Sequence, residues 1–206
     1  MTVPDRESDS ARFDLGRTLI REAGELALRH FRRLDSLSIR SKGRQDLMSE
    51  ADLEVELHIR KRITDAFPGD GFLGEETGRS ENPEAAGIWV VDPIDGTQPF
   101  LTGATQWCVS IGFVDRGQVE MGFVYAPARD ELFVGRHGEQ ATLNGRPIRV
   151  STATRIDDGV VEVGYSPRIG ADDILPVFER LLRQGGTYYR HGSGAIAVCY
   201  VACGSM

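Results

Sequence analysis

Three apolar runs in the middle of the chain, residues 109–114, 119–125 and 131–135, are separated only by Asp115-Arg116-Gly117 and by a turn at Ala126-Pro127. Connections this short leave no room for a parallel crossover of about a dozen residues, so the runs must pair as an antiparallel meander. Asn144-Gly145 marks another tight turn beyond them. Upstream, Phe72-Leu73 and Ile88-Trp89-Val90-Val91 are short apolar runs that each end in acidic residues. They read as buried strands that deliver carboxylates at their ends.

The flanking segments have the helical period instead. Over residues 9–34, Phe13, Leu19, Ile20, Ala23, Ala27 and Phe31 recur on one face, with Ser8 and Ser10 as N-cap candidates. A second helix is expected over 49–67, where Ser49 and Asp52 have capping-box spacing, Val55, Ile59, Ile63 and Phe67 share a face, and Pro68-Gly69 stops it. A strand at 160–163, a helix at 172–182 and a last helix at 193–203, entered through a glycine-rich turn, complete the pattern. Helices, then a largely antiparallel sheet, then helix and strand again describe a layered α+β fold rather than a doubly wound parallel sheet. No Gly-rich phosphate loop follows the first strand, which removes support from a nucleotide-binding fold. At 206 residues the chain has material for one core and is cramped for two, so one domain over 9–204 is expected.

Charge narrows the function classes. The net charge is −7, with acids and bases intermingled, which disfavours a nucleic-acid surface or a basic membrane-binding face. No run approaches the roughly 20 apolar residues of a membrane span, and the first nine residues are polar, so a cytoplasmic protein is expected. Cys108, Cys199 and Cys203 are odd in number and lack the close pairing of a zinc site; they read as packing residues.

The chemistry concentrates in Trp89-Val90-Val91-Asp92-Pro93-Ile94-Asp95-Gly96-Thr97. A strand runs into a turn carrying two carboxylates, with Pro93 fixing the backbone between them and Gly96 permitting a conformation a side chain would forbid. Gly74-Glu75-Glu76 closes another short strand with a second acidic pair. If the two strands are neighbours, Glu75 and Asp92 can share one ion. Crowded carboxylates repel unless a cation lies among them, and hard divalent cations take oxygen ligands.

These two motifs, together with Lys42, the stretch Asp46-Leu47-Met48-Ser49-Glu50-Ala51-Asp52 and the later Gly192-Ser193-Gly194-Ala195, resemble the inositol monophosphatase family, within the Mg²⁺-dependent, lithium-sensitive sugar phosphatases. The likeness is colinear from about Phe13 to Gly204 and implies a layered αβαβα fold. It also implies that Glu75, Asp92 and the Ile94 carbonyl hold a first Mg²⁺, and that Asp92 bridges to a second ion also bound by Asp95. Thr97 and Asp52 would orient the attacking water, with Glu75 grouped among the catalytic residues. Gly96 and Thr97 would offer backbone N–H groups to the phosphate, Lys42 would lie on the phosphate side, and Gly192, Ser193 and Gly194 would line the substrate. A homodimer acting on a small phosphate ester is the corresponding expectation.

The sequence also departs from that pattern. Family members continue past the position of Gly204 to a Trp-Asp segment whose aspartate completes the second metal site, whereas this sequence ends at Met206. The expectation is therefore an incomplete C-terminal part, an intact first metal site and a weak second one. Gln98-Pro99 replaces a more polar pair, and residues 100–103 and 164–168 are closer to bacterial members, including histidinol-phosphate phosphatases. A small polyol phosphate is thus the leading substrate. Histidinol phosphate and a 3′(2′),5′-bisphosphate nucleotide are the alternatives, and a non-catalytic metal-binding or partner-binding module is the reading outside the enzymes.

Overall fold

A computed structural model of the chain describes residues 6–36, 39–43, 46–79, 82, 85, 87–165 and 169–206. The side chains of 6–8, 36, 39–43 and 46–48 lie outside that description. In chain order the elements are α1 (Arg6–Phe31), β1 (Ile39–Gly43), β2 (Asp46–Ser49), α2 (Glu50–Ala66), β3 (Gly71–Gly74), β4 (Gly78–Arg79), β5 (Gly87–Asp95), α3 (Thr97–Leu101) and β6 (Cys108–Asp115). They continue with β7 (Gln118–Ala126), β8 (Glu131–Arg136), β9 (Thr142–Leu143), β10 (Arg146–Pro147), β11 (Val160–Glu162), α4 (Ala171–Arg183), β12 (Thr187–Tyr189) and α5 (Gly194–Ala202).

The central sheet has eight strands in the order β10-β9-β8-β7-β6-β5-β3-β4. Its meander β6–β7–β8 is antiparallel, as the short turns require. Among the described residues of this sheet only β3 against β5 runs parallel, joined by a longer connection, and β11 and β12 form a separate two-stranded parallel pair. The expected layered α+β fold with a largely antiparallel sheet is thus what forms.

Alternation along the strands decides what covers each face. Trp89 and Val91 of β5, Val109, Ile111 and Phe113 of β6 and Met121, Phe123 and Tyr125 of β7 are buried with Leu19, Ile20 and Ala23 of α1 and Val55, Ile59 and Ile63 of α2. The intervening residues Cys108 of β6 and Ala126 of β7 point the other way and pack with Phe133, Ile196 and Tyr200, so α5 covers the opposite face. The sheet lies between two helical layers. Arg12 of α1 ties this assembly to the α2–β3 turn through two hydrogen bonds to Asp70, at 2.8 and 2.7 Å, and Asp70 also accepts from the Trp89 indole at 2.9 Å.

Helix limits differ modestly from the sequence expectation. α1 begins ahead of Asp9 and gives way after Phe31 to a 3-10 turn at Leu34–Ser36, so Ser8 and Ser10 lie inside the helix and not at its cap. α2 starts with the expected capping box: the Ser49 hydroxyl accepts from the Ala51 amide, and Asp52 accepts from the Ser49 amide. The β1–β2 hairpin has no apolar alternation in its sequence, so the pattern marks no strand there. Among the described residues no helix is long and apolar enough to cross a membrane.

Candidate active site

Strand register builds the site. β3 and β5 are parallel with Gly74 opposite Val91, so the residues that follow, Glu75 and Asp92, leave the sheet side by side on one face. The Glu75 amide donates to the Val91 carbonyl at 3.2 Å and keeps the two strand ends together.

Asp95 reaches the same face by a different device. Asp92 pairs with Ser110 and Asp95 with Cys108, so three steps on β5 oppose two on β6. Pro93 has no N–H to give to the ladder, and β5 bulges at this point. Residues three apart on a regular strand face opposite sides of a sheet. The extra residue cancels that half-turn and leaves Asp92 and Asp95 on the side covered by α5.

The electrostatics follow from this crowding. Desolvation pushes the half-buried Asp92 carboxyl up to about 9, and repulsion from Glu75 and then Asp95 adds to the effect. A hydrogen bond from the Ile94 amide to Asp92 Oδ1 at 3.2 Å works in the opposite direction. Asp52, buried on α2, is also raised, first by desolvation and last by the charge of Glu75. The Ser49 hydroxyl at 2.6 Å and the Ser49 amide at 2.8 Å oppose that rise. Glu75 itself is exposed and open to a ligand from solvent.

Asp95 is engaged by α5. Its carboxylate accepts from the Ser193 hydroxyl at 2.7 Å, the Gly194 amide at 3.2 Å and the Ala195 amide at 2.6 Å. Amides at a helix start have no intrahelical partner, so a carboxylate from β5 caps α5 on the face that this helix covers. The buried Ser193 hydroxyl also accepts from the Ile196 amide at 3.2 Å. The Ser193 hydroxyl is thus engaged inside the fold, while Gly192 and Gly194, on either side of it, are exposed. Beneath lies Cys108, its sulfur 3.9 Å from Asp95 Oδ2 and 3.7 Å from Ser193 Oγ. Burial first, then the charge of Asp95, drives its thiol well above the ordinary range, which keeps it protonated and unreactive.

The remaining expected residues fall around this centre. Ile94 is fully buried, and its carbonyl accepts from the Thr97 hydroxyl at 3.2 Å. Among the described residues no hydrogen bond joins Thr97 to Asp52; each is held by its own neighbour. Gly96 has φ +94°, a value glycine tolerates and other residues rarely adopt, and it caps the five-residue α3. So short a helix adds little dipole, which leaves the expected anion contacts to the backbone N–H groups alone. Lys42 falls on β1 with its side chain outside the described residues. Glu56, one turn beyond Asp52 on α2, is fully buried and is not among the residues the motifs single out. Its spacing of four from Asp52 on a helix is the signal that marks it.

Among the described residues no three His, Cys, Asp or Glu side chains close around a point ready to hold an ion. The chemistry of the donors nonetheless fits a hard divalent cation. Asp92 and Glu75 stand within hydrogen-bond reach of each other, an arrangement of two acids that requires a shared proton or a cation between them.

Fold and site together define a layered α+β protein that gathers acidic side chains at the ends of adjacent strands. The chain belongs to the inositol monophosphatase family, a family of phosphatases, which it matches over residues 11–206. It is 38% identical to the Nus factor SuhB of Xylella fastidiosa, an alignment covering 89% of this chain and 67% of that protein. To the inositol-1-monophosphatase of Mesorhizobium japonicum it is 35% identical, over 90% of this chain and 70% of the relative. The crystal structure of the extragenic suppressor protein suhB from Bartonella henselae superposes with a TM-score of 0.90 at 31% identity, covering 94% of this chain and 75% of that one.

Proposed function

We propose that this chain is a Mg²⁺-dependent phosphoric monoester hydrolase acting on a small polyol phosphate. The observation that carries this reading is the pairing of Glu75 with Asp92 at the ends of adjacent strands, with Asp95 returned to the same face by the bulge at Pro93. Glu75, Asp92 and the Ile94 carbonyl would hold the first ion, with Asp92 and Asp95 contributing to a second. When bound, Mg²⁺ supplies Lewis acidity toward water and the phosphoryl oxygens.

The chain's own groups do the rest. The Thr97 hydroxyl gives its proton to the Ile94 carbonyl, so its lone pairs accept from an incoming water. Asp52, with its raised affinity for a proton, is suited to share one with that water. The N–H groups of Gly96 and Thr97 would face the phosphate oxygens, and the exposed Gly192 and Gly194 would border the alcohol portion of the ester. The test is phosphate release from inositol 1-phosphate, histidinol phosphate and 3′-phosphoadenosine 5′-phosphate, with and without Mg²⁺. Mg²⁺-dependent release from the inositol ester, absent in Asp92→Asn, is expected. Failure to hydrolyse any of the three overturns the proposal.

The Nus factor name carried by the Xylella relative favours a second reading, in which this surface serves a macromolecular partner. That reading gains if Mg²⁺ raises the melting temperature while no ester is hydrolysed.

A further inference from the structure

Glu56 is a fully buried acid on α2 whose carboxylate is turned toward the turn that carries Glu75. Its Oε2 accepts from the Glu76 amide at 2.7 Å, and its Oε1 accepts from the Thr77 amide at 2.7 Å. With the Glu75 amide held by Val91, three consecutive N–H groups after β3 are fixed, one by β5 and two by Glu56. Room for this acid is made by Gly74: a Cβ there would lie 2.3 Å from the Glu56 carboxyl carbon. The Thr77 hydroxyl is gripped from the same helix by Arg60 at 3.0 Å.

A buried carboxyl group needs hydrogen-bond partners that offset its desolvation. Two short hydrogen bonds from backbone amides satisfy it, and those amides belong to the residues immediately after Glu75. We propose that Glu56 is a positioning residue, clamping the turn from the α2 side of the sheet so that the Glu75 carboxylate is presented on the other side toward Asp92. It touches neither the ion nor the substrate. The inference rests on the reading above that Glu75 and Asp92 hold a divalent cation. The geometry of the clamp is independent of that reading.

Two variants remove the clamp by different routes. Glu56→Gln replaces one acceptor oxygen with an NH₂ group that opposes a backbone N–H. Gly74→Ala leaves the acid in place but fills the space its carboxylate occupies, and it does so at a strand position without positive φ. Mn²⁺ alone is titrated calorimetrically into both variants, the wild type and Glu75→Gln, while amide hydrogen exchange is followed at residues 75–77. Both clamp variants should bind Mn²⁺ roughly 10–100-fold more weakly, as loss of a ligand's supporting hydrogen bonds does elsewhere, and exchange at 75–77 should accelerate. In hydrolysis the half-saturating Mg²⁺ should rise while kcat recovers at saturation. Wild-type Mn²⁺ affinity in both, with binding lost in Glu75→Gln, overturns the positioning role and leaves the metal reading standing. Wild-type affinity in Glu75→Gln overturns both. Failure of both clamp variants to fold places Glu56 in the service of the fold alone and also overturns the inference.

Discussion

Gly96 sits where β5, α3 and α5 meet, and replacing it with alanine separates two physical costs. Its φ of +94° is one that L-residues adopt reluctantly, and a Cβ there would lie 2.7 Å from the Gln106 carbonyl oxygen, 3.1 Å from Ser193 Cβ and 3.2 Å from Trp107 Cα. Two of those three neighbours are backbone atoms that cannot rotate away. Gly117 provides the comparison, with φ of +82° and nothing within 4 Å of the built Cβ. Gly117→Ala should therefore cost only the conformational term, about 1–2 kcal/mol. Gly96→Ala should add an overpacking term of about 1–3 kcal/mol, for a total of roughly 2–5 kcal/mol. For a chain of this size each kcal/mol moves the melting temperature by about 2–4 °C. Urea and thermal unfolding of both variants measure the difference directly. Phosphate release should vanish in Gly96→Ala, because the new methyl pushes apart the turn bearing Asp95 and Thr97 and the α5 cap, and it should persist in Gly117→Ala. Equal destabilisation of the two variants would refute the crowding argument.

Other substitutions probe other links. Asp95→Asn keeps one acceptor oxygen but cannot serve Ser193, Gly194 and Ala195 as the carboxylate does; hydrolysis should be abolished and urea unfolding should show a loss of about 1–2 kcal/mol, the scale of a helix cap. Asp70→Ala removes the acceptor shared by Arg12 and the Trp89 indole, so stability should fall by about 3–5 kcal/mol while phosphate release at 25 °C survives. In metal-free protein the Asp92 carboxyl is raised to about 9 in the folded state. Its contribution is therefore fully present below the unfolded value near 4 and is lost as pH rises through about 9, at up to about 1.4 kcal/mol per pH unit. Thermal melts in chelator should fall across that window, the slope should flatten in Asp92→Asn, and Mg²⁺ should raise the melting temperature more at pH 8 than at pH 5.

Much of this architecture is written in local pattern. The meander follows from turns too short for crossovers, and the acids at the ends of two apolar runs mark the strands that carry Glu75 and Asp92. What the pattern hides is register. Nothing in the order Asp92-Pro93-Ile94-Asp95 says that β5 gains a residue against β6, yet that bulge alone puts both aspartates on one face. The α5 cap is hidden for a related reason, since Asp95 and Ser193 are far apart in sequence and meet only because α5 closes over the sheet. The spacing of Glu56 from Asp52 places it on the buried face of α2, but what it holds there emerges only when Gly74 is seen to make room for it. The hairpin of β1 and β2 carries no apolar alternation, so only its hydrogen-bonded pairing reveals it.

Crystals grown metal-free and then soaked in Mn²⁺ allow the ion to be located by its anomalous scattering. The Glu75 and Asp92 carboxylates should converge on an anomalous peak, with the Ile94 carbonyl turned toward it. Density showing the two carboxylates apart, with water alone between them, would contradict the assignment of these strand ends as a divalent-cation site.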